Sequence, residues 1–344
     1  MDRAKIATFM ERFEELAAGA AAIGVLAVAD RAGLLKALAG RGPVKPADLA
    51  DDFDDRMVAE ILSALAAAGV VEYNDGRFTL PEEHAACLAD PDSPYLLAGW
   101  LDTIPAVMNT IDAVGRATIE GGGVALSAFD DRVVAGIDRL NSPGTRILLT
   151  RRWLTAMPDV ISRLERGARI ADVGCGAGTA ALTMAKAYPN STVVGYDVDR
   201  RALDQASARA REAGLSNLSF EQVGVEDLPS GFDLITTFDV IHDLSRPAEA
   251  LAQIRRTLAP EGVYFMMEPA AGPELEDDLN TRGLLNLSLS VLCCLPQSLV
   301  DGGAGLGTAW GPRRAEELCR RVGFTHFERL PIDNPYSNFY RVEP

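Results

Sequence analysis

Asp172, Gly174, Gly176 and Gly178 stand at alternate positions in the run Arg169-Ile-Ala-Asp-Val-Gly-Cys-Gly-Ala-Gly-Thr179. A short apolar strand running into such glycines makes a tight turn, and residues without a Cβ let the backbone approach a ligand closely. The next apolar run, Val193-Val-Gly-Tyr-Asp197, ends in an acid. A carboxylate at a strand end can accept both hydroxyls of a ribose. Strand, glycine turn, helix, strand and acid, in that order, are how a doubly wound α/β sheet holds a nucleoside. The spacing narrows which one. A dinucleotide fingerprint needs a third glycine at 179, where a helix N-terminus meets a pyrophosphate, and position 179 is Thr. Asp172, just ahead of the turn, repels a pyrophosphate and suits an ammonium group.

A second group of chemically capable residues follows in Phe232-Asp-Leu-Ile-Thr-Thr-Phe-Asp-Val-Ile-His-Asp-Leu244. His242 is one of three histidines in the chain, and it falls at the carboxyl edge of the expected sheet, where such folds do their chemistry. An imidazole there is suited to removing a proton from a phenol or enol near neutral pH; the alternative is that it only packs or hydrogen-bonds beside the ligand. Glu268, in Met266-Met-Glu-Pro269, can orient His242, touch substrate, or serve the fold at a strand end. Cys293-Cys294 lies in an apolar run with no second pair to complete a metal site, so these read as small core residues and no metal is expected. His84 and His326 fall in segments without a motif, and Trp100, Trp310, Tyr336 and Tyr340 can line a pocket or fill the core.

These residues need a scaffold, and the sequence supplies an α/β one. Strands are expected at 168–173, 192–197, 218–223, 233–238 and 262–268, with helices at 178–188, 200–213 and 246–258. The tail 323–342 reads as two antiparallel strands with no intervening helix, and Trp153–Arg166 as the helix leading into the sheet. The Leu- and Gly-rich insertion 274–310 has the length and position of a lid over substrate. Ahead of all this, residues 3–40 read as Ala/Leu-rich helix, followed by a short helix at Lys45–Ala50, a longer one at Asp55–Ala68, and a hairpin at Val70–Leu80 around Asn-Asp-Gly. Helix, turn, helix and β-wing make a winged helix. Its second helix opens with acids and carries one Arg, which repels phosphates and favours dimerisation over DNA binding.

The pattern D-x-G-x-G-x-G resembles motif I of class I S-adenosylmethionine-dependent methyltransferases, in a bacterial subgroup with an N-terminal winged-helix dimerisation domain. The resemblance covers nearly the whole chain. It implies S-adenosylmethionine as cofactor, with Asp197 on the ribose and Val198 against the adenine. Phe220-Glu-Gln-Val-Gly-Val-Glu-Asp-Leu-Pro229 is similar to the segment that holds the adenine edge, but the family's usual acid is Gly224 here, leaving the contact to Val225, Glu226 or Asp227. The family's fourth strand ends near Phe238, beside the methionine part of the cofactor. His242-Asp243 matches the His-Asp step that plant-type small-molecule O-methyltransferases use, where the His is the general base. The domains implied are a dimerisation domain at 1–85, a helical bridge over the cleft at 86–165, and a cofactor-binding catalytic domain at 166–344. The activity implied is methyl transfer to a small molecule, most often to oxygen, by a homodimer. Two other readings remain: a ligand-sensing winged-helix regulator, and a cofactor-binding protein that catalyses a reaction other than methyl transfer.

Composition agrees with an ordinary globular protein: 344 residues, 48% hydrophobic and 24% charged. A net charge of −16 argues against a nucleic-acid partner. The apolar run Leu16–Ala29 is too short to span a bilayer, so no membrane partner is expected. Five cysteines without a CxxC pair read as reduced thiols in a cytoplasmic setting.

Overall fold

The computed structural model describes residues 1–344, in two compact units: Met1–Met108 with Asp130–Gly144, and Asn109–Phe129 with Thr145–Pro344. The stretch 86–165 is therefore not a body of its own; its parts are shared between the units. Side-chain chemistry explains the first share. Arg139 is forked between Asp30 (2.6 Å) and Asp102 (2.9 Å), and Gly99 and Gly136 let two backbones meet where a Cβ on either would collide. No helix is long and apolar enough to cross a membrane.

In the first unit the helix Arg3–Arg31 starts at Asp2, whose carboxylate accepts from the amides of Ala4 and Lys5. Only its last turns are buried, through Leu26, Ala27 and Ala29; Ile6, Phe9, Met10, Phe13 and Leu16 form an exposed apolar stripe at helical spacing. The helix Asp55–Ala67 is capped by Asp54 and buries Val58, Leu62 and Leu65. The wing pairs β1 (Glu72–Asn74) with β2 (Arg77–Thr79). Its two-residue turn, Asp75-Gly76, has φ of 46° and 75°, the left-handed pair that matches strand twist in a tight hairpin.

The second unit is built on seven strands: β3 (Arg169–Val173), β4 (Thr192–Asp197), β5 (Leu218–Gln222), β6 (Phe232–Phe238), β7 (Leu258–Pro269), β8 (His326–Arg329) and β9 (Ser337–Glu343). Their order is β5-β4-β3-β6-β7-β9-β8, and only β9 runs opposite to the other six. Helices over both faces bury the central strands, which is why β3 and β6 read as near-continuous apolar runs. The chain leaves β3 toward β4 on one side and returns to β6 on the other. That reversal opens a crevice at the carboxyl ends of β3 and β6, where open α/β sheets bind ligands. The helix expected at Trp153–Arg166 begins only at Pro158, with π and 3-10 turns over Leu149–Ala156; proline has no amide to continue a helix upstream and fits its first turn.

The insertion 274–310 folds into the helix Thr281–Leu289, a π turn at Ser290–Cys294 and a short helix at Leu295–Ser298. It is pinned to the turn after β6. Gly307 donates its amide to the His242 carbonyl (3.2 Å), Ala304 to Ser245 (2.9 Å), and Ser298 its hydroxyl to Leu244 (2.8 Å).

Candidate active site

The glycine turn is shaped by two separate demands. Gly174, Gly176 and Gly178 have φ of 68°, 51° and 80°, the left-handed region that side chains resist. Yet a Cβ at 178 would strike Phe220 and Ala206, whereas one at 176 would meet nothing within 4 Å. Position 178 is tight because the fold closes on it; position 176 faces open space. The turn is hooked to β4: Gly174 and Cys175 both donate to the Tyr196 carbonyl, and Gly176 donates to Asp197 Oδ2 at 2.8 Å. Asp197 Oδ1 accepts from the Asp199 amide, and Asp199 caps the helix Arg200–Glu212 by accepting from Arg201.

Asp172 sits beneath the turn. Its oxygens accept from Thr236 Oγ1 (2.8 Å) and the Ala181 amide (3.1 Å), tying β3 to β6 and to the helix Thr179–Ala187. Burial pushes its pKa up to about 7; the two hydrogen bonds pull the other way and the nearby Asp197 charge adds to the rise. Asp172 is 1% exposed, with one hydrogen bond on each oxygen, so it lies beneath the surface of the turn.

Val198 stands 67% exposed beside Asp197, with its carbonyl fixed by Gln222 Nε2 at 3.0 Å. Val225 and Glu226 lie in the 3-10 turn after β5. A Cβ at Gly224 would collide with the Glu226 carboxylate, so the acid two residues later fills the space beside Gly224. Phe238 ends β6, edge-on to Phe265 at 6.0 Å.

At the same edge, Glu268 is 1% exposed. Its Oε1 accepts from the Ile241 amide (2.9 Å) and its Oε2 faces His242 Nδ1 at 2.7 Å. The imidazole is itself buried, and its Nε2 lies 3.3 Å from Asp243 Oδ1. Burial alone would lower its pKa; the charges of Asp243 and Glu268 outweigh burial and raise it to about 10. Held this way, both ring nitrogens of His242 face carboxylates, which favours the charged imidazolium. The Cys294 thiol lies against Asp243 and Cys293, bringing donor atoms of His242, Asp243 and Cys294 within 4.8 Å of one another.

The fold therefore gathers Asp172, Gly174, Gly176, Gly178 and Asp197 at one strand–turn–strand junction, and His242 with Glu268 at the next. Sequence reasoning took Cys293-Cys294 for small core residues and did not foresee that Cys294 comes back to His242 and Asp243. It also passed over Asp239, a non-glycine with φ of 56° directly after β6, a conformation that marks strain held at a strand end. The only signal for it was its place after Phe238. Of the four aromatic candidates, Trp310 and Tyr340 belong to the core and Tyr336 is exposed. His84 bonds the Val70 carbonyl and His326 pairs with Glu328, both away from these groups.

This sheet order, glycine turn and strand-end acid define a Rossmann-like methyltransferase fold behind a winged helix. Residues 164–290 match the family described as a methyltransferase domain, and residues 19–90 the Rv2258c-like winged HTH domain; the chain carries both. A ubiquinone biosynthesis O-methyltransferase of Paracidovorax citrulli is 34% identical over 104 residues, which are 29% of this chain and 43% of that protein. The chain thus spans less than half the length of this relative. Among solved structures, a mitomycin 7-O-methyltransferase superposes with a TM-score of 0.71 at 17% identity, over 99% of both chains. A methyltransferase of calicheamicin biosynthesis, in its SAH-bound form, gives 0.71 at 20% identity over 100% of both.

Proposed function

We propose that the protein transfers a methyl group from S-adenosylmethionine to an oxygen of a small-molecule acceptor. The observation that carries this reading is the turn at Gly176: a left-handed glycine facing open space, with its amide on Asp197, at the switch point of the sheet. These residues fit the cofactor. Asp197 keeps lone pairs on both oxygens for ribose hydroxyls, Val198 offers an exposed apolar surface for adenine, and Glu226 a carboxylate for its edge. Phe238 would stand beside the methionine part.

The cofactor supplies a methyl group on a sulfonium together with its own leaving group. What remains for the chain is to align the acceptor, exclude water and take the acceptor's proton. The segment 274–310, bonded to the turn after β6, covers the His242 side. His242, positioned by Glu268, is the group proposed to handle the proton.

The homodimer is proposed from the unpartnered stripe Ile6, Phe9, Met10, Phe13 and Leu16, which a second copy would cover. The regulator reading is weaker because the lone Arg56 of the second helix is paired with Glu60. Calorimetric titration with S-adenosylmethionine and S-adenosylhomocysteine, followed by mass-spectrometric screening of phenolic and enolic acceptors, tests the proposal. Binding and a product 14 mass units heavier, a transferred CH₂, support it; no binding to either ligand overturns it.

A further inference from the structure

We propose that a groove on the second unit binds a small molecule carrying a phosphate ester. The groove is a cavity of about 670 Å³ walled by Arg146, Arg151, Lys186 and Arg209, with Glu212 as the one acid among its lining residues. All of these residues belong to that unit.

Charge sets this surface apart from the rest of the molecule. The chain carries a net −16, so its general field repels anions. Four cations around one concave surface reverse that field locally, and a cleft lined by one sign of charge focuses it. They come from four separate pieces of structure: the end of the helix Arg132–Leu148, the π turn Leu149–Trp153, the last turn of the helix Thr179–Ala187, and the helix Arg200–Glu212. No single amphipathic face produces such a cluster; the fold converges it.

Two of the cations stand on fixed supports. Arg209 Nη1 donates to the Ala177 carbonyl at 3.1 Å, which holds its guanidinium at the wall of the groove. Arg151 rides on the π turn, anchored by the buried Leu149 and Trp153, and such turns recur at functional sites. Guanidinium groups present paired N–H donors that match phosphate oxygens, and the Lys186 ammonium adds a point charge.

Size and polarity narrow the ligand. The volume falls within the range of about 300–1,000 Å³ typical of small-molecule sites. Leu182 and Ala213 give the groove an apolar wall beside its cations. A phosphate engages the cations and an organic body covers that wall, which a bare inorganic ion leaves uncovered. The groove follows the helix Thr179–Ala187 for about 12 Å away from the glycine turn, so the proposal stands without the methyl-transfer reading.

The test is calorimetric titration of the full chain at low salt with phenyl phosphate and with inorganic phosphate. One phenyl phosphate per chain is expected, bound about threefold or more tightly than inorganic phosphate through the apolar contact. Arg151→Glu with Lys186→Glu should weaken phenyl phosphate about tenfold or more, through the loss of two charged partners. Both replaced side chains are exposed, so circular dichroism should show the double variant folded. Arg56→Glu, at a side chain 74% exposed on the first unit, should leave binding unchanged. A wild type without saturable phenyl phosphate binding overturns the proposal whether or not the variant folds. Undiminished binding in the double variant does so too, as does an equal loss in Arg56→Glu, which makes the attraction diffuse. Inorganic phosphate bound as tightly as phenyl phosphate overturns the assignment to an ester.

Discussion

The amide of Gly176 points at Asp197 Oδ2 across 2.8 Å, so the residue that faces open space on the turn also orients the acid on the neighbouring strand. The second oxygen is fixed by the Asp199 amide. Asp197 is therefore held in one orientation before any ligand arrives, and a carboxylate already ordered loses little freedom when two hydroxyls bind it.

Asp197→Ala should weaken S-adenosylmethionine by about 10- to 100-fold, the effect of losing hydrogen bonds to a charged group worth about 1.5–3 kcal/mol. Asp197→Asn should fall between, because its amide oxygen can serve only one of the two directions now shared by the carboxylate. Calorimetry on all three proteins checks the order. Equal affinities would remove Asp197 from the site.

Asp172 gives the fold a pH dependence with a defined sign. Its pKa rises from the ordinary 3.8 to about 7 through burial, so the folded state holds a proton that the unfolded chain has lost. Stability from this group is full below about pH 4 and is lost as pH rises to 7. Asp172→Asn should flatten the decline in urea midpoint between pH 5 and pH 8. A cation bound above the turn should also expel the proton. Near pH 7, S-adenosylmethionine should then show a binding heat that varies with buffer ionisation enthalpy, and the neutral S-adenosylhomocysteine a smaller variation. Identical heats in all buffers would count against the coupling.

How legible this was in the sequence differs from residue to residue. The sheet was readable because its central strands are buried on both faces and carry apolar runs, and because glycines and a terminal acid punctuate them. The wing was readable from Asn74-Asp75-Gly76, whose left-handed turn only such residues adopt cheaply. What could not be read is three-dimensional coincidence. Nothing local says that Asp172 spends its oxygens on Thr236 and Ala181, that the Glu226 carboxylate lies where a Cβ at 224 would go, or that Cys294 comes back to His242. The imidazole was recognisable as reactive from its place at a strand end; that two carboxylates flank it depends on β7 pairing with β6, which brings Glu268 alongside.

His242→Ala should leave cofactor affinity nearly unchanged, since its side chain bonds Glu268 and faces Asp243 rather than the glycine turn or Asp197, while turnover with a found acceptor falls about 100-fold or more, the usual scale of a general base. Stability should fall as well. Removing the imidazole leaves Glu268 buried without its charge partner, at a cost of about 3–5 kcal/mol. His242→Gln, which can still donate to Glu268, should recover much of the stability and none of the turnover. Restored turnover in His242→Gln would show that the ring only packs.

Phe9→Glu with Phe13→Glu should convert a dimer to monomer in sedimentation without disturbing the fold, because both side chains are exposed in the single chain, at 67% and 61%. If the wild type is already monomeric, or the double variant still sediments as a dimer, the stripe is not the interface.

Gly176→Ala and Gly178→Ala separate the ligand's demand from the fold's. Both positions have left-handed backbone, and each substitution carries the strain of placing a Cβ there, about 1–2 kcal/mol. At 176 the new methyl meets nothing within 4 Å, whereas at 178 it is driven into Phe220 and Ala206. Overpacking adds about 1–3 kcal/mol, so Gly178→Ala should have the lower midpoint in thermal or urea unfolding. The order of cofactor affinities should be the reverse. The methyl at 176 stands in the open space the ligand is proposed to occupy, so Gly176→Ala should bind S-adenosylmethionine more weakly while folding better. Matching losses of stability and affinity in the two variants would mean that the turn serves the fold alone.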